Sequence, residues 1–189
     1  MPTSPTTRER IVAEAVVLTT TDGWASVTMA RLADAVGVSR QTVYNEVGSK
    51  PALAEAMILE ELARFLQLVD AAFEAETTDL GSAIERAVAD VLTYADANPL
   101  LHAVVSATHG ADTELLPLLT TNAGSLLEAV KDVVRTRVAP YDLTIDDDHL
   151  DPAIDMVVRV VLSHVMQPSA EPARTAADIA WIARRVLER

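Results

Sequence analysis

The chain has 189 residues, 50% apolar and 23% charged, with no cysteine and a formal net charge of −13. Such an apolar content supports a packed core and excludes a disordered chain, and the missing thiols exclude disulfides, thiolate metal sites and cysteine nucleophiles. No apolar run approaches the roughly 20 residues that span a bilayer, so no membrane association is expected, and the chain reads as a cytoplasmic protein of a reducing compartment.

With only 6 glycines and 4% aromatic residues, an all-α fold is expected rather than a β-sandwich. From Arg8 to about Thr20, Ile11, Ala15 and Leu18 recur at helical spacing, and Asp22-Gly23 turns the chain. Thr28 is placed to cap a short helix carrying Met29, Leu32, Ala33 and Val36, which Gly37 stops. Ser39 caps a third helix, Arg40 to about Val47, closed by Gly48, and Ser49 opens a fourth with Pro51 in its first turn. Further helices are expected over 50–75, 80–97, 100–108, 112–138 with a bend at Pro117, 150–166 and 172–187, with a loop over 142–148.

Two short helices joined by a tight glycine turn, with the small Ala33 between them, make a helix-turn-helix. Charge supports that reading. Residues 1–50 hold five basic and five acidic groups, so the entire −13 lies in residues 51–189, an acidic body held away from phosphate. The expected domains are therefore a helix-turn-helix over 1–50 and a helical body over 51–189.

The stretch Val27 to Lys50, VTMARLADAVGVSRQTVYNEVGSK, resembles the DNA-binding signature of TetR-family regulators. It shares the threonine-initiated helix, Ala-x-x-x-Gly-Val-Ser, Thr-hydrophobic-Tyr, and the Ser-Lys that opens the fourth helix. The resemblance is strong over about residues 8 to 60; beyond that only length and helical content match. It implies an N-terminal three-helix DNA-binding domain, a C-terminal domain for ligand binding and dimerisation, and a cofactor-free repressor of double-stranded operator DNA. The third helix suits the major groove if Val43 and Val47 face inward. Arg40 and Gln41 then read base edges, because arginine pairs bidentately with guanine and glutamine with adenine. Thr28, Thr42, Tyr44 and Lys50 stand where the family commonly touches phosphates, with Asn45 a weaker phosphate contact; Ser39, which caps this helix, belongs to the same interface.

One departure is Glu46-Val47 where the family often has histidine and phenylalanine. The carboxylate is expected to turn toward Arg31 or Arg40, or else to lower affinity in favour of selectivity. It also leaves open a protein-interaction scaffold of the same fold that no longer binds DNA. Arg8 and Arg10 are expected either as an arm reaching DNA or as a solvated helix start.

In the resembling family the last two helices pair with those of a second subunit. Here Ile154, Val157, Val158, Val161, Leu162 and Val165 form one apolar face, and Ile179, Ile182, Val186 and Leu187 another. A homodimer is expected through these helices, although the same faces also fit an internal core. Met57, Phe65, Tyr94, His102, His109 and Asn122 are the expected ligand-binding residues, with Leu62, Leu66, Leu101, Val105, Leu116 and Leu119 as further lining for a small apolar effector. No metal is expected: His102 and His109 offer too few ligands, and the acids from Asp146 to Asp151 complement a helix dipole. Neither Gly-x-Ser-x-Gly, His-Glu-x-x-His, Glu-x-x-His nor a phosphate-cradling glycine loop occurs, so the chain is not read as an enzyme.

Overall fold

The computed structural model describes residues 4–108 and 123–187. Among them the regular elements are α1 (Thr7–Asp22), a 3-10 turn (Trp24–Ser26), α2 (Met29–Val36), α3 (Arg40–Val47), α4 (Lys50–Ala75), α5 (Leu80–Asp96), α6 (Pro99–Thr108), α7 (Ala123–Val138), α8 (Asp147–Met166) and α9 (Pro172–Leu187). The fold is all-α, as expected from composition and periodicity. Of the helix expected over 112–138, the described part is α7; Pro117, His109, Leu116, Leu119 and Asn122 lie outside the described residues.

The first four helices start where a side chain satisfies an N–H that has no partner inside the helix. Thr6 and Glu9 form a reciprocal capping box, with the Thr6 N–H donating to Glu9 Oε2 at 2.7 Å and the Glu9 N–H to Thr6 Oγ1 at 3.2 Å. Thr28 accepts from the Arg31 N–H, Ser39 from the Thr42 N–H, and Ser49 from the Ala52 N–H. Gly37 ends α2 at φ 74°, ψ 41°, the left-handed region that glycine enters without a Cβ penalty.

The described residues fall into two compact units. The first contains 4–62 and 99–108. Its core joins Ile11, Val12 and Ala15 of α1, Leu32 and Val36 of α2, Val43 and Val47 of α3, Leu53 and Met57 of α4, and Leu100 and Val104 of α6. Fully burying each of the larger aliphatic side chains is worth about 1.5–3 kcal/mol, which is how eight-residue helices too short to persist alone become ordered.

The second unit contains 63–98 and 123–187. Helices α5 and α9 pack closely because their contact positions are small: Ala83 and Ala87 on one, Ala176, Ala180 and Ala183 on the other. Gly81 takes this to its limit, since a Cβ there would collide with the Arg184 side chain. Arg137 of α7 pairs with Asp70 of α4 at 2.7 Å, while Arg135 reaches Asp151 and Lys131 reaches Asp155 on α8 at 2.7 and 3.3 Å.

Two expectations need correction here. The loop expected over 142–148 ends earlier, because Asp146 is the N-cap of α8 and Asp147 and Asp148 occupy its first turn; Pro152 is accommodated inside that helix. The apolar faces of α8 and α9 are not undivided dimer surfaces. Ile154, Val158, Ile179 and Leu187 are buried in the unit's own core, whereas Leu162, Ile182 and Val186 stay exposed together with Met156, Val160 and Trp181.

Candidate DNA-binding interface

Helix α3 is seated by Val43 and Val47, 0% and 3% exposed, against α1 and α2. At 3.6 residues per turn this seat leaves Arg40, Gln41, Tyr44 and Asn45 on one outward side, and all four are exposed. The side chain of Tyr44 is 52% exposed, so it is not part of the core. Gln41 Nε2 donates to Asn45 Oδ1 at 2.9 Å, which fixes the two amides as a pair along the helix. Among the described residues Arg40 has no ion-pair partner, leaving its fork of donors available.

The flanking hydroxyls follow from the caps. Thr28 Oγ1 accepts from the Arg31 N–H at 3.2 Å and keeps its own proton for an outside acceptor. The hydroxyls of Ser39 and Thr42 lie 2.9 Å apart, and Ser39 Oγ also accepts the Thr42 N–H at 3.0 Å. Lys50, the first residue of α4, places its ammonium 4.8 Å from the centre of the Trp24 ring. Thus Thr28, Ser39, Arg40, Gln41, Thr42, Tyr44, Asn45 and Lys50 all belong to the first unit, at the starts of α2, α3 and α4 and along the outer side of α3.

The basic groups of α1 are exposed at the helix start, and both also engage neighbouring helices. Arg8 donates to the carbonyl of Glu46 near the end of α3, and Arg10 Nη2 donates to the carbonyl of Val36 at the end of α2 at 2.5 Å. Both guanidiniums therefore lie at helix C-termini, where the dipole favours a cation. Glu46 does not turn toward Arg31, which is committed to Asp22 at 2.5 Å and to the Ser26 carbonyl at 3.2 Å. Half-buried and about 200° around α3 from Tyr44, Glu46 lies one turn beyond Thr42 on the flank.

The expected ligand residues divide between the units. Met57 is buried in the first unit's core, and His102 on α6 is exposed. In the second unit Phe65 and Tyr94 form an edge-to-face pair with ring centres 5.2 Å apart. Two features escaped sequence reasoning: the Trp24 ring beneath Lys50, and the buried carboxylate of Glu61, 5% exposed on α4. Neither has a local signal, since residues 24 and 50 meet only after folding and a single acid on a helix usually reads as surface.

An exposed polar helix held on buried valines and joined to its predecessor through a left-handed glycine is a helix-turn-helix, and it marks a DNA-binding protein rather than an enzyme. Residues 11–57 match the family of bacterial regulatory proteins described as tetR, and residues 79–185 match the bacterial tetracyclin repressor C-terminal domain. The chain belongs to the TetR family of transcriptional regulators. It is 29% identical over 174 residues to the HTH-type transcriptional regulator AlkX of Mycobacterium tuberculosis, covering 89% of this chain and 79% of that protein. Its fold is similar to the TetR-family repressor AlkX of Dietzia sp. strain DQ12-45-1b, implicated in biodegradation of n-alkanes, with a TM-score of 0.73 at 24% identity over 98% of this chain and 100% of the other. It is also similar to the fatty acid degradation regulator FadR of Bacillus halodurans, with a TM-score of 0.61 at 15% identity over 96% of each chain. No helix among the described residues is long and apolar enough to cross a membrane.

Proposed function

We propose that the protein is a ligand-responsive repressor that binds a palindromic operator as a homodimer and is released by a small apolar effector. The observation that carries this reading is the outward side of α3, where Arg40 and Gln41 stand exposed above buried Val43 and Val47. Arg40 and Gln41 read base edges. Thr28, Ser39, Thr42, Tyr44, Asn45 and Lys50 fix the register on phosphates. One helix of eight residues covers too few base pairs to specify an operator, so two subunits present two copies about 34–36 Å apart. The second copy joins through α8 and α9, a reading supported by the exposed Met156, Leu162, Trp181, Ile182 and Val186.

Residues 1–50 are the DNA-reading part and 51–189 the sensing and pairing part. The effector is aliphatic, which the names of the AlkX and FadR relatives support, and it draws on Met57, Phe65, Tyr94, His102, His109 and Asn122. It acts by binding the non-DNA state better; a thousandfold preference corresponds to about 4 kcal/mol. The test is a gel shift on the DNA upstream of the protein's own gene, with n-alkanes and the matching fatty acids added in turn. A shifted band of dimer stoichiometry that one ligand series abolishes supports the reading. Identical affinity with every ligand leaves a constitutive regulator, and no shift at all leaves a scaffold.

A further inference from the structure

Lysine at the first position of a helix is electrostatically out of place, because the N-terminus already carries a partial positive charge. Lys50 occupies that position in α4. One contact of its ammonium is the Trp24 indole, 4.8 Å from the ring centre and inside the roughly 6 Å range where a cation is attracted to the ring face. The indole itself is 3% exposed, wedged in the turn between α1 and α2 by Val27 and the surrounding core, so its face is a fixed surface and not a mobile partner. Lysine loses much rotamer freedom when pinned to a ligand, and a ring that already confines it removes part of that loss.

We propose that Trp24 is a positioning residue for DNA binding: its buried indole face holds the Lys50 ammonium at the start of α4 in the place where a phosphate oxygen receives it. This rests on Lys50 being a phosphate contact. Trp24 touches no DNA in this arrangement. It sets the occupancy of one Lys50 conformation by holding the ammonium against the ring.

The test varies the ring's charge distribution without changing its shape. Wild type and Lys50→Met are each prepared with ordinary tryptophan and with mono-, di- and trifluorinated tryptophan, and affinity for the duplex upstream of the protein's own gene is followed against salt. Lys50→Met is expected to reduce the magnitude of the salt slope by about 0.9, the loss of one phosphate contact. Stepwise fluorination is expected to weaken binding progressively in the Lys50 protein, about five- to tenfold in total, and to leave the Lys50→Met protein unchanged. Fluorination of Trp181 is common to both series and cancels. Equal weakening in both series, or none in either while Lys50→Met lowers the slope, overturns the role of Trp24 and leaves Lys50 as a phosphate contact. An unchanged slope in Lys50→Met removes that contact and the proposal with it. Trp24→Leu, whose fold is checked by circular dichroism, provides a second line: its effect on affinity must vanish in the Lys50→Met background.

Discussion

The guanidinium of Arg10 in α1 donates to the carbonyl oxygen of Val36, the last residue of α2, at 2.5 Å. With Arg8 on the Glu46 carbonyl, α1 uses two cations to close the ends of the two helices that form the DNA-binding motif. Replacing both with alanine is expected to cost about 1–2 kcal/mol, a fall in Tm of roughly 2–8 °C, with little change in the salt dependence of DNA binding. An arm on DNA gives the opposite pattern, an unchanged Tm and a slope lower by about two contacts. Thermal unfolding and salt titration of one double variant decide between them.

Arg40→Ala removes the exposed fork at the leading end of α3. It is expected to weaken operator binding by about 1–3 kcal/mol and to relax discrimination at a single base pair in each half-site. Affinity measured across a panel of single-base operator variants checks this; uniform weakening at every position would show Arg40 on phosphate instead.

Glu46 lies one helical turn past Thr42. If Thr42 meets a phosphate, the carboxylate is on the order of 10 Å from that charge, and the repulsion in water is about 0.4 kcal/mol. Glu46→Gln is therefore expected to tighten binding about twofold, equally for operator and unrelated duplexes, with the gain fading as salt rises. Weaker binding by the variant would contradict this and assign Glu46 a structural part in the α3 flank.

Between α7 and α8, the Arg135 guanidinium beside Asp151 holds that carboxyl below its ordinary value of 3.8, and Arg159, with Lys131, does the same for Asp155. A depressed folded-state value means that the stabilisation is present above pH 3.8 and is lost as pH falls through the lower folded-state value. Asp151→Asn should thus melt slightly below wild type at neutral pH, and the two curves should converge in acid. Asp151 is exposed and Arg135 half-buried, so the gap is small; a gap that widens on acidification would contradict the pairing.

What was legible in the chain was mostly what a few neighbouring residues decide. Thr28, Ser39 and Ser49 cap helices because a hydroxyl two or three positions before an N–H suffices, and Gly37 ends one because only the local backbone matters. The same kind of signal, Thr6-x-x-Glu9, marks the start of α1, and the expected start at Arg8 passed over it. The acids before Leu150 complement a helix dipole as expected, but the polar run from Asp142 to Asp148 put the start of that helix too late: Asp146 caps α8, and Asp147 and Asp148 fill its first turn. Burial depends on neighbours distant in sequence. Periodicity put Ile179 and Ile182 on one face, but the small-residue contact with α5 buries the first and leaves the second outside. The candidate interface was legible through its motif, while the engagement of Arg8, Arg10 and Trp24 needed three dimensions.

Helix α6 carries a last consequence. Leu100 and Val104, 4% and 7% exposed, complete the same apolar core as Ile11 and Val36, although residues 63–98 of the other unit separate α6 from the end of the first segment. The motif is thus not a bead that can be cut off and transplanted: a fragment ending at Leu62 keeps every candidate DNA-binding side chain but uncovers the part of α1 that α6 packs against. Domain exchange between such regulators would have to carry two pieces of chain, and a graft that moves only the N-terminal stretch inherits whatever aliphatic pair its new host happens to offer.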